Sequence, residues 1–190
     1  MAKLLLALPF LLLCLPLRAD SPFADPAVQF IESRDYYHIQ ANSWAQLRAA
    51  LLRRPGKGEH AWAQTHWDAH YRLNFAYGTD HCRLVGMEVK LKLVITLPLW
   101  DNPPQALKNR WHLYSDHILR HELSHRQNVI EMVKRLRRKV LALPEAADCD
   151  RLKAGYQRIR AAEDARRDQD DRILDRQDRL WQEAEQRHRR

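Results

Sequence analysis

Residues 107–133 read LKNRWHLYSDHILRHELSHRQNVIEMV, and the rest of the chain is interpreted from this stretch. It holds no proline and no glycine. Trp111, Tyr114, Ile118, His121, His125, Ile130 and Val133 recur at roughly the three-to-four spacing of one helical face, which predicts a long helix with its histidines turned inward. At its centre stands His121-Glu122-Leu123-Ser124-His125, the pattern H-E-x-x-H.

The chemistry of that pattern dictates its spacing. Residues four apart lie one turn apart on a helix, so both imidazoles can reach a single metal ion. Glu122 leans over the open side of the metal, where it can take a proton from water whose pKa the metal lowers to roughly 7. The competing interpretation is a pair of histidines satisfied within a helical core. A motif sitting inside a helix-forming stretch favours the metal.

Around this helix the chain of 190 residues falls into three parts. Residues 1–19 carry Lys3, an apolar run from Leu4 to Leu17 and a small residue, Ala19, and are expected to be a cleaved secretory signal peptide. The apolar run is too short for a permanent membrane span. Leu11-Leu12-Leu13 before Cys14 are not the small residues that precede a lipidated cysteine. Export to the periplasm or beyond then leaves Cys82 and Cys149, an even pair expected to form one disulfide in an oxidising compartment.

Residues 20–34 are expected to form a loose leader. Tyr36–Gln40 has strand composition, Ser43 can cap a short helix over Trp44–Leu52, and Arg53–Glu59 is expected to be a loop. From Thr65 to Tyr77, Trp67, Ala69, Tyr71, Leu73 and Phe75 alternate with polar residues, a half-buried strand. Leu84–Leu97 follows as a second strand, so that a hairpin with Tyr36–Gln40 beside it makes a small antiparallel sheet. Thr96–Trp100 leaves the sheet, Asn102 caps the main helix with Pro103 at its first position, and that helix ends near Leu141. A second helix runs from about Ala146 or Asp150 to the C-terminus.

These features together resemble a bacterial family of predicted secreted zinc-dependent proteases, a domain otherwise of unknown function. The likeness runs through Tyr36-Tyr37, Trp67, Cys82, Val85–Val94, Thr96–Trp100, Trp111, Tyr114, the H-E-x-x-H motif and Cys149. The resemblance implies peptide-bond hydrolysis with zinc as cofactor. The family carries an Asp, Thr, His, Gly cluster near its C-terminus that could supply a further ligand. Here that region reads Asp171-Arg172-Ile173-Leu174-Asp175-Arg176-Gln177-Asp178-Arg179-Leu180, without the histidine and the glycine.

A catalytic zinc takes three protein ligands and a water. His117 shares the face of His121 and His125, but eight residues at 1.5 Å each put His117 about 12 Å from His125, beyond the reach of one ion. It is expected to support the ligands from behind or to pack in the core. If the helix hairpin turns near Leu143, residues around 161–165 face the motif, and Glu163 lies there on the inward stripe. Glu163 is therefore the expected third metal ligand, with Asp164, Asp170 and Asp175 behind it; the competing interpretation pairs it with an arginine such as Arg120. His66 and His70 fall on the polar face of their strand, and Tyr114 and Tyr156 are expected to be core aromatics.

The sequence thus predicts an α+β fold: a small antiparallel sheet on a long two-helix hairpin with a zincin-like motif helix. A metallopeptidase domain is expected over 20–165, with a charged helical extension over 166–190. Glu122 is expected to be catalytic, His121, His125 and Glu163 to hold zinc, and Cys82 and Cys149 to form the disulfide. The expected partner is a peptide or protein substrate in the cell envelope. Net charge is +8, yet Arg166 to Arg179 mixes both signs, the pattern of a solvated helix rather than of a nucleic-acid surface. The alternative function is that of a non-catalytic envelope protein binding a partner or a metal through its helix hairpin.

Overall fold

A computed structural model describes residues 21–53 and 62–187, with side chains through 184. The expected signal segment 1–19 and most of the Arg53–Glu59 loop lie outside the described residues. Three strands and three helices follow in the order β1 (Val28–Gln40), α1 (Trp44–Leu52), β2 (Gln64–Tyr77), β3 (Cys82–Asp101), α2 (Lys108–Leu141) and α3 (Cys149–Arg187). The fold is α+β, as expected, with a long helix hairpin lying on a small sheet.

The sheet is mixed rather than antiparallel. Its strand order is β1-β3-β2; β2 and β3 form the expected hairpin, but β1 runs parallel to β3, with Val28 opposite Val89 and Gln40 opposite Asp101. The three strands alternate in direction, and β3 inserts between the other two instead of adding outside β2, which makes it parallel to β1. Its composition explains the central place. Leu91, Leu93 and Ile95 are fully buried, and a strand of this apolarity gains by having both edges paired.

Two expected boundaries shift. Val28–Arg34, expected to be leader, belongs to β1, and Thr96–Trp100 stays in the sheet, with Leu97 opposite Tyr36 and Trp100 opposite Ile39. Pro98 is tolerated because β2 starts opposite Thr96, so β3 has a partner on one side only beyond that point. The main helix begins five residues later than expected, at Lys108 rather than Pro103. Asn102 adopts φ 48°, a left-handed turn that asparagine accepts, and Pro104 is extended, so a 3₁₀ turn over Gln105–Leu107 leads into α2.

Alternation sets which face of the sheet is covered. On β2, His66, Asp68, His70 and Arg72 are exposed while Thr65, Trp67, Ala69 and Tyr71 face inward. Helix α2 lays Ile130, Val133 and Leu136, all fully buried, on this inner face, and Arg126 ties it to Glu32 of β1 at 2.7 Å. Helix α3 crosses β2 through the guanidinium of Arg167 over Trp67 and that of Arg160 over Tyr71.

Cys82 and Cys149 form the expected disulfide, with Cα atoms 5.1 Å apart and a sequence separation of 67. The main-chain N–H and O of Cys82 also pair with Ala146, so the start of β3 clamps the connection between α2 and α3. Closing a loop of this length removes unfolded-state entropy worth about 4 kcal/mol. Replacing both cysteines by serine is expected to lower the unfolding free energy by about that amount, read as an earlier urea midpoint with a steeper slope, because the unfolded chain is no longer held compact by the cross-link. An unchanged midpoint would contradict the clamp.

Candidate metal centre

The motif lies mid-helix in α2, as its flanks predict. His121 and His125 sit one turn apart with their rings at 89° and centroids 4.6 Å apart, and their Nε2 atoms approach to 3.1 Å. The carboxylate of Asp175, from α3, completes the group: its Oδ1 lies 3.1 Å from His125 Nε2 and 3.5 Å from His121 Nε2. Those are the spacings of ligand atoms around one ion. Bonds of about 2.0–2.1 Å in a tetrahedron place neighbouring ligands about 3.3 Å apart. The donor set therefore fits a divalent ion such as zinc on size, type and number.

The second nitrogen of His125 is held as well. Its Nδ1 lies 2.9 Å from Asp171 Oδ1, and Asp171 is fixed in turn by Asn128 at 2.8 Å and by Arg167. A carboxylate on Nδ1 sets the tautomer that leaves Nε2 bare for a metal. Burial alone lowers the pKa of His125, but the hydrogen bond and charge of Asp171 and the nearby Glu122 and Asp175 overcome it and raise it. His121 goes the other way. Burial and the neighbouring histidines hold it below the ordinary imidazole range despite Asp178 and Asp175.

Glu163 is not at this centre. Its carboxylate is buried 2.7 Å from Arg135 Nε and 2.6 Å from Lys139 Nζ. Arg135 lies ten residues beyond His125 on the same helix, about 15 Å along its axis. The error is one of helix register. The pairing His125–Asp171 is centred on residue 148, not near Leu143, because 142–148 form an extended connection pinned to Cys82 instead of a tight turn. Glu163 does pair with arginine, though with Arg135 rather than Arg120.

The stretch 166–187, expected to be a charged helical extension, continues α3 along α2. Asp178 accepts from His117 at 2.6 Å, and Trp181 stacks on the His117 ring at 3.5 Å between centroids. His117 thus belongs to the supporting layer. His66 and His70 are exposed and Tyr114 and Tyr156 buried, as expected.

Glu122 is 4 % exposed and lies beside the cluster, its Oε2 2.7 Å from the hydroxyl of Thr65 on β2. Burial raises its carboxyl above the ordinary range, against the opposing pull of the Thr65 hydrogen bond and of His125. A carboxyl so shifted beside convergent donors is suited to taking up a proton. A cleft of about 430 Å³ is lined by Thr65, His121, Glu122, His125, Asp171 and Asp175, with Trp62 and Gln182 also in its wall. Among the described residues His121, His125 and Asp175 are the only histidine, cysteine and carboxylate group whose ligand atoms converge in this way.

No helix of the described residues is long and apolar enough to cross a membrane. No curated protein and no solved structure matches the chain. The family model described as "Bacterial protein of unknown function (DUF922)" matches residues 34–183, a span that holds every residue of the cleft. The chain belongs to this family.

Proposed function

From membership of a family whose function is unknown, we propose that this protein is an exported zinc-dependent peptidase acting on peptides or proteins of the cell envelope. The observation that carries the proposal is the convergence of His121 Nε2, His125 Nε2 and Asp175 Oδ1 within 3.5 Å, with Glu122 lining the same cleft. Bound there, zinc would supply an acidified water and a Lewis acid for a peptide carbonyl.

The residues divide the remaining work. His121, His125 and Asp175 hold the ion, and Asp171 keeps His125 in the tautomer that can bind it. Glu122 takes a proton from water and passes it to the leaving amine, a transfer that its burial favours by stabilising the neutral carboxyl. Two imidazoles and a carboxylate would also suit a ferrous ion. A buried, raised carboxyl lining the same cleft favours hydrolysis, which needs a proton carrier there.

The test uses the mature chain. About one zinc per chain is expected, together with cleavage of an unfolded protein substrate that stops on chelation and returns with added zinc. Zinc bound at one per chain with no cleavage of any unfolded protein would instead support the metal-binding alternative.

A further inference from the structure

Thr65 stands at the start of β2 on the face turned to the helices, in line with Trp67, Ala69, Tyr71 and Leu73 and opposite the fully buried Ile95. A β-branched residue suits a pleated, half-buried position, and valine would meet that demand equally. The hydroxyl has a different use. Its oxygen lies 2.7 Å from Glu122 Oε2 and 3.0 Å from the main-chain O of Glu122, so its one proton is shared between the carboxylate, the nearer acceptor, and the turn of α2 that carries it. Among the described residues the Glu122 carboxylate makes no other hydrogen bond, which leaves Oε1 without a protein partner in a residue that lines the cleft.

We infer that Thr65 is a positioning residue for Glu122, pinning Oε2 so that Oε1 is the oxygen presented to the cleft. The inference rests on the peptidase proposal for its consequence and on the two hydroxyl contacts for its geometry. A glutamate side chain has freely rotating bonds, and a general base works only within hydrogen-bond reach of the proton it takes. Misplacement by about 1 Å can cost on the order of a hundredfold in rate. The contact also crosses between layers. It sets the base on α2 by a residue of the sheet, whereas the metal ligands are set by α2 and α3 alone.

The experiment compares Thr65→Val and Thr65→Ser in the zinc-loaded mature chain. Valine is expected to lower kcat about ten- to a hundredfold with KM and zinc content unchanged, and serine, which keeps the hydroxyl, to restore kcat to within about threefold of wild type. A merely structural role would lower stability without dividing kcat from KM. A folded, zinc-loaded Thr65→Val chain with wild-type kcat overturns the inference and leaves the peptidase proposal standing. If Thr65→Val does not fold, Thr65→Ala takes its place against the serine variant.

A second readout needs no turnover. Thr65→Val and Glu122→Ala are combined in a double-mutant cycle on the urea midpoint, and their effects are expected to be non-additive. Additive effects overturn the pinning contact. Should the wild type cleave nothing, the peptidase proposal fails, and coupling in this cycle alone upholds the contact.

Discussion

Replacing Asp175 by alanine is expected to cost the protein its zinc. Zinc affinities of about 10–16 kcal/mol shared among three or four ligands assign roughly 3–4 kcal/mol to each, so losing one carboxylate should weaken binding about a thousandfold. Competition against a chelator of known affinity measures this directly. Glu163→Ala is the control. Glu163 holds Arg135 and Lys139 about three turns from the histidines, so its removal should leave zinc affinity unchanged while destabilising the hairpin through the cations left behind. The opposite pattern, zinc lost with Glu163→Ala and kept with Asp175→Ala, would refute the centre described above. Affinity should also fall on acidification. His125 must be neutral to bind a metal, and Asp171 keeps its proton on to higher pH than an ordinary imidazole would, so proton competition begins correspondingly early.

The elements of the fold were legible because each carries one dominant periodicity. The period-two alternation of β2 and the helical stripe of α2 survive intact in the structure. What composition could not give was how strands pair. The hairpin of β2 and β3 follows from proximity, but whether β1 joins at the β2 edge or the β3 edge depends on a comparison of burial across the whole sheet. The leader residues Val28–Arg34 gain their strand character only from pairing with Val89–Ile95. The start of α2 was missed for a local reason, since the extended bias that one proline imposes on the residue before it outweighed the helix-starting role of Pro103.

The site was half legible. His121, Glu122 and His125 are close in sequence, so one helix fixes their geometry. The third donor comes from another helix, and its identity depends on the hairpin register, which a five-residue shift in the turn moves by about three helical turns of partner. A signal was nonetheless present. His117, His121 and His125 recur at intervals of four, and Asp171, Asp175 and Asp178 recur at intervals of four and three; each set forms one helical face. Two antiparallel helices matching a ladder of histidines to a ladder of aspartates fix their own register. That gives His117 to Asp178, His125 to Asp171, and Asp175 to the gap between His121 and His125. Read only as mixed charge, the aspartates looked like part of a solvated surface.

Glu122→Gln should separate catalysis from folding most sharply. Glutamine keeps the shape of the side chain and can still meet the Thr65 hydroxyl, which serves as donor or acceptor. Zinc content is expected to stay near one per chain while peptide cleavage falls about a hundred- to ten-thousandfold, the usual contribution of a general base. Stability should move the other way in the zinc-free chain. Burial raises the folded-state pKa of Glu122, so the neutral form contributes stability that is fully present below the unfolded carboxyl pKa and is lost as pH rises through the folded value. Glutamine is neutral throughout and escapes that loss. The variant should therefore unfold at higher urea than wild type near neutral pH, with the difference closing as the pH falls below the ordinary carboxyl range. A variant that loses cleavage and stability together would show Glu122 to be a structural residue. One that gains stability while losing cleavage would identify a carboxylate kept in the core, at the expense of the fold, for the reaction it carries out.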